Sequence, residues 1–289
     1  GHHIWHRQEY GSPVPRERLY FFGVHGLVDG DGMSNFLLRN CMAAMRQKPM
    51  DLTRFVVLDD ADREKIRVAQ GFPLAEAGAA GCTKAEPGFR DEHCELFKHA
   101  GLEWPPSLTE LALNNLRYKL GGLGERCMEV VYFMDQHFPP HGPLLQTPQL
   151  EFMDVNSSLA RLLNWQPGSG EEKFAELRYP WCGSPRTITG QSKIVMRTAQ
   201  AGVPSSVRLL EGWEVMALIG WSPNMWKKGG PFVQPEVMCN MAGNAFSGFA
   251  VGPVLVATLA LIGRPSTSAR SPPQGRDGGS EDSDGSESD

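Results

Sequence analysis

The run over residues 248–263, GFAVGPVLVATLALIG, constrains this chain more than any other stretch, because so much apolar surface must be covered. It is shorter than the roughly 20 residues that cross a bilayer, and it carries Pro253. The expectation is a helix over residues 248–261 buried against a second layer of structure. The chain has 289 residues, enough for one large domain or two modest ones. The end of the chain cannot supply the cover. Residues 264–289 contain only Pro, Gly, Ser, Thr, Ala, Gln, Arg and acids, a composition that predicts disorder. Between Asp277 and Asp289 lie six acids and no base, so residues 1–276 sum to +1 although the whole chain carries −5. The body is near neutral, which argues against strong nonspecific DNA binding but leaves room for a local basic groove. Ser280, Ser283, Ser286 and Ser288 sit among these acids, a pattern that acidophilic kinases favour and that a plain solvated tail also explains.

The most distinctive polar feature lies near the other end. Residues 9–24 read EYGSPVPRERLYFFGV, with Arg16 and Arg18 at alternate positions before an apolar run. If residues 19–24 form a strand, both guanidiniums project from its opening end on one face. Such a pair suits phosphate oxygens or a base carbonyl. A solvated strand end or ion-pair partners would give the same pattern.

Two later segments join it. Residues 208–221 read RLLEGWEVMALIGW, and residues 241–255 read MAGNAFSGFAVGPVL. Together the three resemble the C-terminal half of the cytosine-5 DNA methyltransferase family. Tyr10, Gly11, Pro13, Arg16 and Arg18 match its eighth conserved motif, with Val14 where a glutamine belongs. Arg208, Leu210, Glu214, Gly220 and Trp221 fit the ninth, with Gly212 and Trp213 replacing the usual Pro and Arg. Gly243, Asn244 and Ala245 match the tenth, with Phe246 for a valine. The order and the long variable stretch between the eighth and ninth motifs also fit.

The resemblance implies an α/β protein: part of a Rossmann-like S-adenosylmethionine-dependent fold with a mixed target-recognition region. Residues 1–30 would end the catalytic core, 31–207 would form the variable recognition region, and 208–263 would return to the core. The strand at 19–24 would be a late strand of the Rossmann-like sheet. Arg18 would bond the carbonyl of a flipped cytosine and Arg16 would order the pocket wall. Asn244, Ala245 and Phe246 would line the S-adenosylmethionine side. Arg186, Lys193, Arg197 and Arg208 would contact DNA, and Arg208 with Glu214 would scaffold the recognition segment.

The family's Phe-x-Gly-x-Gly loop, Pro-Cys nucleophile and Glu-Asn-Val string do not occur in this sequence. The expectation is a fragment inactive by itself, whose catalytic half lies elsewhere. The missing layer should leave an apolar face exposed and the isolated chain poorly soluble. A noncatalytic nucleic-acid-binding remnant or pseudoenzyme is the alternative. An RNA methyltransferase of the same superfamily is a third, although no Cys-Phe-Thr string lies near residue 208. The six cysteines lack regular spacing and read as reduced thiols of a nuclear or cytoplasmic protein, neither secreted nor membrane-bound.

The middle of the chain gives coarser signals. Ser34 caps an expected helix ending before Pro49, and residues 55–58 (FVVL) read as a short buried strand. Residues 71–90 read as a loop. Ser107 and Glu110 form a capping box for a helix reaching residue 120, before Gly121 and Gly122. Residues 126–137 read as a helix packed on it, and 159–165 as another short helix. Residues 178–207 read as extended and basic, fitting either phosphate contacts or a surface hairpin. Three weaker groupings favour ordinary structure over chemistry. His2, His3 and His6 lie on a terminus; Cys82, His93, Cys94 and His99 lack zinc-site spacing; the DGDGMS glycines lack a phosphate-loop lysine.

Overall fold

A four-stranded sheet with both faces covered organises the chain. The computed structural model describes residues 2–6, 10–14, 17–21, 33–70, 89–104, 117–140, 149–156, 180–200, 203–221 and 235–262. Strands β1 (His2–His6) and β2 (Glu17–Phe21) form a separate antiparallel pair. Then come helices α1 (Met33–Ala44), α2 (Asp60–Gln70) and α3 (Phe89–His99), strand β3 (Tyr118–Lys119) and helix α4 (Glu125–His137). They are followed by β4 (Gln149–Asp154), β5 (Ile194–Gln200), β6 (Val203–Leu209), α5 (Gly212–Leu218), α6 (Pro235–Asn244) and α7 (Gly248–Ile262). The sheet order is β3-β6-β5-β4, with β3 parallel to β6 and the other pairs antiparallel. The architecture is α/β.

Alternation along the strands explains the two covered faces. Met153, Val195 and Val207 pack with Leu96, Phe97, Val130, Phe133 and Met134 of α3 and α4. Phe152, Ile194 and Met196 point the other way, into a second core with Trp213, Met216, Met238 and Ala242 of α5 and α6. A third cluster joins α1 to α7 through Leu38, Met42, Ala250 and Ala257, with Tyr10 beside them.

Several expectations change. The strand expected at 19–24 is Glu17–Phe21, and it pairs with β1 rather than joining the larger sheet. Residues 55–58 are not a strand. A 3-10 turn at Leu52–Arg54, closed by the Asp51 side chain on the Thr53 amide, leads into them, and Val57 bonds to side chains instead of a ladder. Helix α1 starts at Met33, so Ser34 lies inside it. Tyr118 and Lys119 are strand rather than helix, because β6 supplies a partner. Phe89 and Arg90 open α3 and do not continue the expected loop. Helix α4 agrees with the sequence reading to one residue.

Helix α7 forms as expected, but only one side is buried. Leu255, Val256 and Leu259 are 56%, 58% and 65% exposed, a contiguous apolar stripe at helical spacing. Residues 71–88, 105–116, 157–179 and the tail 264–289 lie outside the described residues, and so do the helix expected at 159–165 and the part of the helix expected at 109–120 that precedes residue 117.

Candidate functional site

Arg208 and Glu214 form one buried unit. Arg208 leaves β6 on the α5 face, where its Nη1 and Nη2 each donate to Glu214 at 2.7 Å. Nη2 also donates to the Val57 carbonyl at 2.9 Å, while the Val57 amide donates to Glu214 Oε1 at 3.0 Å. Glu214 further accepts from the Glu211 amide at 3.0 Å, closing a capping box at the start of α5. A fully used carboxylate of this kind tolerates burial. The pair therefore ties β6, α5 and the Val57 segment together.

Helix α2 is drawn into the same network. Arg63 bonds Asp60 at 2.7 Å and reaches Glu211 at 3.3 Å, and Asp60 also pairs with Lys119 beside Arg208 in the sheet. Burial raises the Glu211 carboxyl above its ordinary range, against the opposing Trp213 indole bond. The motif departures at 212 and 213 have a physical reason. Trp213 is buried in the second core and bonds Glu211 at 2.8 Å, where an arginine would bring a further charge into an apolar setting.

The end of α5 grips the tenth motif. Gly220 adopts φ 92°, and the Trp221 amide returns to the Met216 carbonyl at 3.1 Å, a Schellman-type ending. Trp221 Nε1 then donates to the Phe246 carbonyl at 2.8 Å, and the Gly248 amide to the Ile219 carbonyl at 2.9 Å. A Cβ on Gly248 would stand 2.5 Å from the Gly220 carbonyl oxygen, so the two backbones touch. The link Asn244-Ala245-Phe246 is thereby fixed, with the Asn244 side chain exposed and Phe246 60% exposed. Its other end meets the 189–190 turn. A side chain on Gly243 would overlap the backbone of Thr189 and Gly190.

Tyr10 to Val14, the opening of the eighth motif, is buried. Gly11 takes φ 88° against Gln47, whose amide donates to the Tyr10 carbonyl at 3.0 Å. Val14 packs with Val56, Phe152 and Trp213, and a glutamine amide there would need polar partners inside an apolar cluster. Arg16 lies outside the described residues; Arg18 stands in β2 opposite Trp5, and its side chain lies outside them too.

The residues expected to contact DNA divide sharply. Arg186 is exposed on an irregular segment with Thr187 and Thr189, and Lys193 is half-buried. Arg197 is a correction: it is 0% exposed, so its guanidinium does not face a phosphate. It donates to Glu151 at 2.9 and 2.5 Å and to the Phe138 carbonyl at 2.6 Å, approaches Asp135 at 3.3 Å, and lies 4.3 Å over the Trp181 ring. Asp135 also accepts from Tyr118 and Arg117, both at 2.6 Å. Burial and the neighbouring carboxylate push the Tyr118 phenol well above its ordinary range. Arg208 is the second correction, since its contacts are the internal ones above. Its guanidinium is spent on Glu214 and the Val57 carbonyl.

Sequence reasoning missed Val57, Arg63 and Asp135 as parts of these networks; Arg63 has a local partner in Asp60, but its contact with Glu211 and the partners of Val57 and Arg197 lie far along the chain. His93, considered for zinc, is buried on α3 and bonds Glu129 at 2.6 Å. Among the described residues no group of three His, Cys, Asp or Glu side chains is placed to hold a metal ion. No single helix among them is long and apolar enough to cross a membrane. No family model matches the chain, and comparison with curated proteins finds no match.

Proposed function

We propose that this chain is the C-terminal portion of a DNA cytosine-5 methyltransferase, acting with a catalytic half that carries the thiolate nucleophile. The observation that carries the reading is the meeting of the motif segments. The ninth-motif end, Gly220-Trp221, holds the tenth-motif link at Phe246 and Gly248, and Val14 and Trp213, each standing where the sequence departs from its motif, share one apolar cluster.

In this reading Asn244 and the backbone at Phe246 face S-adenosylmethionine, which supplies the methyl group. The donor set suits it: an exposed carboxamide that both donates and accepts, beside an exposed aromatic ring. Arg18 and Arg16 would stabilise charge on the cytosine carbonyl side. Arg186 and Lys193, among exposed hydroxyls, would meet DNA phosphates. The apolar stripe of α7 is the face that the Rossmann-like sheet of the catalytic half would cover.

The test is the transcript upstream of the Gly1 codon. An in-frame extension encoding Pro-Cys and Glu-Asn-Val supports the reading. A start codon directly before Gly1 overturns it and leaves a nucleic-acid-binding remnant.

A further inference from the structure

Between Pro185, buried, and Ile188, also buried, Arg186 and Thr187 are carried outward; Thr189 and Gln191 follow on a tight turn. The turn is closed on itself. The Thr189 amide donates to Ser192 Oγ at 2.9 Å, the Ser192 amide to the Thr189 carbonyl at 3.1 Å, and the two hydroxyls lie 3.0 Å apart. Its shape is thus set locally, but its position is set from outside. The last turn of α6 lies on it, with Gly243 against the Thr189–Gly190 backbone. A Cβ on Gly190 would in turn stand 3.1 Å from Asn244 Nδ2 and 3.5 Å from the Asn240 carbonyl oxygen.

We infer that Gly243 is a positioning residue that fixes the 186–192 turn through direct backbone contact, so that the cofactor-side link and the nucleic-acid-side turn move as one body. The inference rests on the proposed function for what the turn touches, but the mechanical link stands on the geometry alone. Backbone packed on backbone leaves no flexible side chain to absorb a displacement, and close-packed interiors transmit strain rather than dissipate it. The Gly243 end of the link is pinned to the turn, and the Gly248 end to Gly220. A ligand that shifts Asn244 must therefore shift the turn bearing Arg186, and duplex bound at Arg186 must bias Asn244 in return, because coupling is reciprocal.

The test uses the full chain with Gly243→Ala, Arg186→Ala and the double variant. Hydrogen exchange followed by mass spectrometry reads the amides of Thr189 and Ser192. A fluorescein-labelled DNA duplex gives affinity across a salt series. Gly243→Ala is expected to speed exchange at 189–192 and to weaken duplex binding roughly tenfold, about as far as Arg186→Ala, with the salt slope lowered by about one in each. The double variant is expected to lose no more than Arg186→Ala alone, since both act through one contact. Unchanged exchange in a folded Gly243→Ala, or fully additive losses, overturns the inference. Duplex binding unmoved by Arg186→Ala defeats the proposed DNA contact instead, and the exchange result then decides the mechanical link by itself. If Gly243→Ala does not fold, Gly190→Ala takes its place. Its Cβ presses on the Asn244 amide, and adding Asn244→Ala is expected to restore slow exchange; failure of that rescue overturns the link.

Discussion

Arg208 and Glu214 meet through two N–H···O bonds of 2.7 Å with both side chains buried, and the Val57 backbone completes the arrangement from far along the chain. The Arg208–Glu214 pair is in this way a fastener between the sheet and helix α5.

Removing one partner leaves the other stranded. Arg208→Met is expected to cost about 3–5 kcal/mol of folding stability, because the Glu214 charge stays buried. Glu214→Gln should be costly as well, since the Val57 amide donates to one carboxylate oxygen and the Glu211 amide to the other, and a carboxamide keeps only one of the two acceptors while leaving the Arg208 charge buried. Urea unfolding at low and high salt checks both, and the loss should persist in high salt because a buried pair is poorly screened.

Arg197 and Arg186 should separate stability from binding. Arg197→Ala removes the shared donor to Glu151, Asp135 and the Phe138 carbonyl, and is expected to cost about 3–5 kcal/mol. Arg186→Ala, on the exposed turn, should leave the melting temperature nearly unchanged while lowering duplex affinity. Thermal melts paired with a duplex titration distinguish them.

Glu211 gives a pH signature. Burial raises its carboxyl in the folded state, so across the window from the unfolded value, roughly 4.3, up to the raised one, the folded chain binds more protons. Its contribution therefore falls as pH rises through that window. Glu211→Gln keeps an acceptor for Trp213 Nε1 and is expected to flatten this fall. Urea midpoints measured for both proteins from acid to neutral pH provide the comparison.

The exposed stripe of α7 should govern solubility. Leu255→Glu with Leu259→Lys is expected to reduce self-association in light scattering while leaving the melting temperature nearly unchanged, as for other exposed positions. A large drop in melting temperature would mean that the stripe is covered within this chain.

The sequence announced its helices better than its networks. The apolar content of α4 and α7 placed both, because core-facing periodicity is written locally. Residues 178–207 read as extended and basic, yet that reading could not say that Arg197 faces inward. Charges in a strand ordinarily mark solvent, and the partners that neutralise this one, Asp135 and Glu151, lie 62 and 46 residues away. The apolar run at 55–58 suggested a strand for a similar reason. Its burial was legible, but Arg208 and Glu214, which take its hydrogen bonds, lie some 150 residues further on. The Gly243–Gly190 contact needed the fold, because nothing local to residue 243 names the turn it packs on.

The most direct test of the central claim is methyl transfer from S-adenosylmethionine to duplex DNA by the polypeptide that the complete transcript encodes. The expected result is 5-methylcytosine in the product, with Arg18→Ala lowering kcat by about 100-fold or more, as for loss of a donor that stabilises transition-state charge. No 5-methylcytosine from a folded, S-adenosylmethionine-binding polypeptide, or turnover indifferent to Arg18→Ala, would contradict the account.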